Sequence, residues 1–103
     1  MKPDPISQLD RTVHEKGRLA IFAVLAATEE LSFTDLKAAV AMTDGNLNSH
    51  LRTLQEAGFL AVTKSFQDRR PLTTCSLTRQ GREAFAQHIR LLEEIVRQHR
   101  PKP

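Results

Sequence analysis

The chain has no tryptophan, no tyrosine, one cysteine and four glycines among its 103 residues. With five phenylalanines as its whole Phe/Tyr/Trp complement, it lacks the usual stacking platform for single-stranded nucleic acid. The lone Cys75 excludes an internal disulfide framework and offers a metal no cysteine pair, so on an alternating strand it is expected to pack in the core. No apolar run approaches the length that spans a bilayer, and the opening MKPDPISQLD lacks the apolar centre of a signal peptide. A cytoplasmic protein without a membrane partner is therefore expected. No glycine-rich phosphate loop is present, and no Ser or Cys nucleophile has a nearby base and orienting group, although His14, Glu15 and His50 exist. One small domain also leaves little room for a substrate pocket, so neither an enzyme nor a cofactor is expected.

What is present is an ordinary globular composition, 40% hydrophobic, with a mild basic excess of +3. That charge is consistent with a polyanionic partner without establishing one. The informative stretch is MTDGNLNSHLRTLQEAGFL, Met42 to Leu60. Thr43 or Asp44 can cap a helix there and Gly58 is suited to stop it, which predicts a helix over about 44–57. Leu47, Leu51 and Leu54 recur at four-then-three spacing and form a narrow apolar stripe. Opposite lie Gly45, Asn46, Asn48, Ser49, Arg52 and Thr53, where most surface helices carry Lys and Glu. Asn, Ser, Thr and Gly weaken a helix relative to Ala, so helix stability did not select them. Short amides and an arginine suit the major groove, where Asn can pair with adenine and Arg with guanine. The competing reading is an N-terminal turn that merely tolerates small polar residues.

Before this helix, a helical pattern is expected to begin near Ser7 and to break around HEKG, followed by the apolar helix RLAIFAVLAA at the centre of the core. SFTDLKAAVAM predicts a two-turn helix capped by Thr34, with Leu36, Ala39 and Val40 inward. The few residues between it and Asp44 demand a steep turn, the helix-turn-helix arrangement. After Leu60 the period changes to alternation, and a second run, Leu72 to Thr78, completes a β-hairpin across QDRRP. Its tip carries Arg69 and Arg70, flanked by Lys64 and Asp68; arginines at such a tip can also be simply solubilising. A last helix is expected from the cap Thr78 to about His99, where Pro101 stops it. Phe85, Ile89, Leu92 and Val96 make one stripe on it, and Ala84, His88, Leu91 and Ile95 a second. Two rows exceed what one small domain needs, so the second row is expected to meet another copy, unless the broad stripe sits wholly in the monomer core.

The order of recognition helix, wing and terminal helix resembles the short winged-helix DNA-binding domains related to the MarR and ArsR transcriptional regulators of bacteria and archaea. The similarity runs from LDRTVHEKGRLAIFAVL through the helix above to KSFQDRRPLTTCSLTRQGREAF, with TDGNL, HLRTLQEAGFL, RRP and SLTRQGR as its specific blocks. It implies an α+β fold, mostly α with one β-hairpin wing, dimerising through the C-terminal helix. The expected organisation is a flexible lead over 1–6, a DNA-binding domain over 7–78, a continuous dimerisation helix over 79–100 and a flexible tail over 101–103. The implied function is a homodimeric, sequence-specific regulator that binds double-stranded DNA, with an unidentified small-molecule effector as a further partner. By resemblance Thr43, Asp44, Asn46, Asn48, Ser49, His50 and Arg52 stand near the major groove, and Arg69 and Arg70 reach the backbone or minor groove.

Physical chemistry divides the labour. Asn46, Asn48 and Arg52 would read base edges, while Ser49, Thr53 and the helix N-terminus would hold phosphate. Lys64, Arg69 and Arg70 would add salt-dependent affinity. Phosphate would repel Asp44, which is expected to cap the helix or orient Arg52. The dimer surface is expected to draw on Phe85, His88, Ile89, Leu91, Leu92, Ile95 and Val96. Two other functions compete. ArsR relatives can bind metal on the terminal helices, and His88 and His99, eleven residues apart, lie on one face. Alternatively the winged helix serves protein contacts, in which case Arg52 and Arg69 would be dispensable.

Overall fold

The computed structural model describes residues 4–101; residues 1–3 and 102–103, in the expected lead and tail, lie outside the described residues. Four helices and three strands follow in the order α1 (Lys16–Ala26), β1 (Leu31–Ser32), α2 (Phe33–Val40), α3 (Asp44–Glu56), β2 (Leu60–Gln67), β3 (Arg70–Leu77) and α4 (Arg79–His99). Among the described residues ahead of α1 the helical element is a single 3-10 turn, Ile6–Gln8, where a helix was expected to begin near Ser7. Pro5 precedes that turn and is buried, so the lead is folded against the domain from at least that residue.

Caps explain the helix boundaries. The Glu15 carboxylate accepts from the amides of Gly17 and Arg18 at 3.0 and 2.8 Å and starts α1. Thr34 does not cap α2; the Ser32 hydroxyl does, accepting from Asp35 N at 3.0 Å, because α2 begins at Phe33 and already contains Thr34. Ala39, expected inward, is exposed, whereas Leu36 is fully buried. Ala41 closes α2 in the left-handed region at φ 53°. Thr43 then accepts from Asn46 N at 3.2 Å to start α3, and Gly58, at φ +82°, follows its end. Leu47, Leu51 and Leu54 are all buried, each burial worth about 1.5–3 kcal/mol, and they clamp α3 on the core.

The sheet is antiparallel with order β1-β3-β2. Strand β1 adds to the expected hairpin by pairing Leu31 with Cys75 and Ser32 with Thr74. The wing turn is tighter than QDRRP suggested. Gln67 pairs with Arg70, leaving Asp68 and Arg69 as a two-residue loop with φ 51° and 67°. Both left-handed residues match the twist of a hairpin, at a cost of about 1–2 kcal/mol for each side-chain-bearing residue.

The core gathers Phe22 and Leu25 of α1, Leu36, the α3 leucines, and Phe59, Cys75 and Leu77. Phe22 stacks on Phe85 at 5.4 Å between centroids and tilts against Phe59 at 6.0 Å. The Thr78 hydroxyl caps α4 through Gly81 N at 3.0 Å and donates to Gly58 O at 2.6 Å. Gly81 is buried against the Phe59 carbonyl so closely that an added Cβ would lie 2.0 Å from that oxygen. On α4 the burial of the two stripes departs from the expectation. His88 and Leu91, in the row assigned to a second copy, are buried within the chain, because the N-terminal segment folds over that side of α4. Phe85 belongs to the core as well. The outward apolar residues are instead Ile89, 37% exposed, and Val96, 53% exposed. No helix among the described residues is long and apolar enough to cross a membrane.

Candidate nucleic-acid interface

Leu47 and Leu51 seat the N-terminal half of α3 on the domain and leave its other side open. Gly45, Asn46, Asn48, Ser49 and Arg52 are exposed there, and nothing lies within 4 Å of a Cβ built on Gly45. Thr43 is exposed too, with its hydroxyl oxygen engaged as the helix cap. The leucine stripe buries one side of α3, and the side left free carries amides, a hydroxyl and a guanidinium.

Alternation along the hairpin decides what faces α3 from the wing. Leu60 pairs with Leu77, Val62 with Cys75, Lys64 with Thr73 and Phe66 with Pro71, all on one face. That face is buried at its base and opens outward at Val62. Between it and α3 runs an open cleft of about 850 Å³, lined by Asn48, Arg52 and Gln55 on one side and by Lys64 and Thr73 on the other. Ser32 and Thr34, at the start of α2, line it as well. No lining residue is acidic, and Arg52 and Lys64 supply its charge. A polyanion entering the cleft meets two cations and no opposing carboxylate. Arg69 and Arg70 stand exposed beyond it at the wing tip.

Three expected roles change. Asp44 does not orient Arg52; its Oδ1 pairs with Lys37 Nζ at 2.6 Å, linking α2 to the start of α3 and balancing the carboxylate. His50 does not face outward with Asn46 and Asn48. One turn on from Asn46 its ring turns under the helix toward α1, where Arg18 donates to its Nδ1 at 3.3 Å and its Nε2 would be 2.7 Å from a Cβ on Gly17. Arg18 is held in turn by the Thr12 carbonyl at 2.6 Å and by Glu15 at 3.9 Å. The amides of Gly17 and Arg18, with help from His50 and the Arg18 guanidinium, hold the Glu15 carboxyl below the usual carboxylate range against the opposing effect of burial. Thr53 is half-buried, and its hydroxyl donates to Ser49 O at 3.2 Å, so that proton is not free for a phosphate.

The two histidines weighed as metal ligands are also separated in role. His88 Nε2 lies 3.0 Å from His14 Nδ1, and His99 Nδ1 lies 2.9 Å from its own helix's Ile95 carbonyl. Among the described residues no group of three or more His, Cys, Asp or Glu could hold a metal ion. Cys75 is fully buried, which pushes its thiol pKa up and keeps it protonated. Sequence reading missed Ser32, Thr34, Gln55 and Thr73 in the cleft. Only Gln55 had a signal, lying one turn beyond Arg52 along α3.

A family model described as a winged helix DNA-binding domain matches residues 18–96. The chain belongs to this winged-helix family. A relative, an uncharacterised protein of Methanocaldococcus jannaschii, is 40% identical over 72 residues, 70% of this chain and 78% of that protein. Among solved structures, a transcriptional regulator homologue from Pyrococcus horikoshii OT3 superposes with a TM-score of 0.87 at 23% identity, over 93% of this chain and 97% of that one. A MarR-family protein of Porphyromonas gingivalis W83 superposes with a TM-score of 0.68 at 18% identity, over 94% and 90%. At these identities the likeness is one of fold, and the fold is the α+β winged helix that the order of elements suggested.

Proposed function

We propose that this winged-helix protein is a transcriptional regulator that binds double-stranded DNA as a homodimer and reads its sequence through α3. The observation that carries the reading is the exposed face of Gly45, Asn46, Asn48, Ser49 and Arg52 beside an acid-free cleft holding Lys64. Asn46, Asn48 and Arg52 meet base edges in the major groove, and Ser49 with the α3 N-terminus meets phosphate. Arg69 and Arg70 extend the contact to the flanking backbone or minor groove. His50 acts behind this surface, bracing α3 on α1.

Pairing of copies uses the outward row of α4. Ile89 and Val96 are exposed and Leu92 is half-buried between them, an apolar line that a second α4 would cover. Half-buried Ile95 borders this line. Two copies joined there present two α3 helices to one duplex.

Selection from a random duplex pool tests both parts together. Enrichment of two related half-sites, spaced by about 10 base pairs or a multiple, is the expected result. A pool that stays random after repeated rounds rejects the reading, and enrichment of a lone half-site rejects the dimer.

A further inference from the structure

Phe66 is 77% exposed, the most exposed of the large apolar side chains in the described residues. It stands on β2 next to the wing turn, opposite Pro71. Alternation places it on the face that carries Lys64 and Thr73, and its partner Pro71 lines the cleft beside α3. The wing therefore changes character along this face. It is buried at Leu60, open at Val62, cationic at Lys64 and apolar again at the tip, where Phe66 and Pro71 form a pair with no core beneath them. The charged neighbours at the tip are Arg69, Arg70 and Asp68, a cationic balance around an exposed ring.

An aromatic ring at the free end of a hairpin is a liability unless something covers it. The charge around Phe66 selects a polyanion with apolar interior surface, which a nucleic-acid groove provides. The reach of the wing agrees: from Val62 to Gln67 the strand extends roughly 16 Å past the core at about 3.3 Å per residue. That is enough to pass the phosphate backbone beside α3 and enter the next groove. We infer that Phe66 is a DNA-contact residue, its ring packed with Pro71 into the minor groove while Arg69 and Arg70 hold the phosphates on either side. Apolar residues placed in that groove lie against sugar walls and base steps, and they favour steps that widen or kink easily. Phe66 would thus contribute affinity, and a preference for deformable steps, without releasing counterions. This inference rests on the DNA-binding reading above.

The test compares wild type, Phe66→Ala, Phe66→Leu, Arg69→Ala and Arg52→Ala on the duplex recovered by selection, across a salt series. Phe66→Ala is expected to weaken binding about tenfold or more, with the slope of log K against log salt unchanged. Phe66→Leu should recover most of that loss, and Arg69→Ala should instead make the slope shallower by about 1.8, about 0.9 for each copy in the dimer. Phe66→Ala binding as tightly as wild type, while Arg52→Ala loses sequence preference, overturns this inference and leaves the DNA reading standing. A change of oligomeric state in Phe66→Ala, seen by sedimentation, overturns it by assigning the ring to contact between copies. If wild type binds no duplex, the DNA reading fails and takes this inference with it.

Discussion

His14 Nδ1 lies 3.0 Å from His88 Nε2, a contact that fastens the segment before α1 to the side of α4. One imidazole must donate and the other accept, so the contact needs at least one neutral ring. His88 is 2% exposed, and burial, followed by the His14 charge, lowers its pKa, while Asp10 opposes the shift. The sign follows directly. A histidine whose folded pKa lies below its unfolded value of 6.5 binds more protons when unfolded, so its stability contribution is full above pH 6.5 and is lost as pH falls through that value toward the folded pKa. Thermal unfolding of wild type should therefore shift to lower temperature between pH 7 and pH 5. His88→Leu, which cannot titrate, should show a flatter profile over the same interval. Parallel profiles for the two proteins would contradict the assignment.

His50 and Asn48 sit two residues apart on α3 with opposite duties. His50→Ala removes one of the acceptors of Arg18 and should cost about 1 kcal/mol of stability, with the preference between DNA sequences kept. Asn48→Ala should leave stability within about 0.5 kcal/mol, or raise it, and should relax sequence preference. Denaturant unfolding and duplex competition, run on both variants, separate the two roles.

Two glycines give a second contrast. Gly81→Ala drives a methyl group into the Phe59 carbonyl and should destabilise by about 1–3 kcal/mol, or detach the start of α4. Gly45→Ala meets nothing within 4 Å and should stabilise α3 by up to about 1 kcal/mol. If the bare surface at Gly45 exists for close approach to DNA, the same change weakens duplex binding. A variant that gains stability and keeps full affinity would show that Gly45 is no part of the contact.

On α4, the double variant Ile89→Glu, Val96→Glu replaces the outward apolar residues with good helix formers and should remain folded. It is expected to sediment as a monomer and to bind a two-half-site duplex about a hundredfold more weakly. Leu91→Glu should instead destabilise the fold, because Leu91 is buried inside the chain and the change would bury a charge.

What was legible in the sequence divides along physical lines. Helix α3 and its stop could be read because a leucine period, the cap Thr43 and Gly58 agree over consecutive residues. The cap Thr78 and the change of period after Leu60 were legible for the same reason. Strand β1 was not, since two residues carry no period and its existence depends on Cys75 and Thr74 lying alongside. The cap of α2 was placed at Thr34, two residues too late, because the helix already begins at Phe33 and Ser32 caps it. Exposure was readable where it follows from a residue's side of one helix, as for Asn46, Asn48 and Arg52. It was not readable where a distant element decides: Lys37 for Asp44, Arg18 for His50, and the folded-back N-terminal segment for His88 and Leu91.

The central claim, that α3 reads DNA sequence through Arg52 and its neighbours, is tested most directly by fluorescence anisotropy. Wild type and Arg52→Ala would each be titrated against duplex from the gene's own upstream region and against a scrambled duplex, across a salt series. Wild type should prefer the native duplex by at least about tenfold, with affinity falling as salt rises, and Arg52→Ala should lose most of that preference. Equal binding of wild type to both duplexes, or a preference untouched by Arg52→Ala, would contradict the claim.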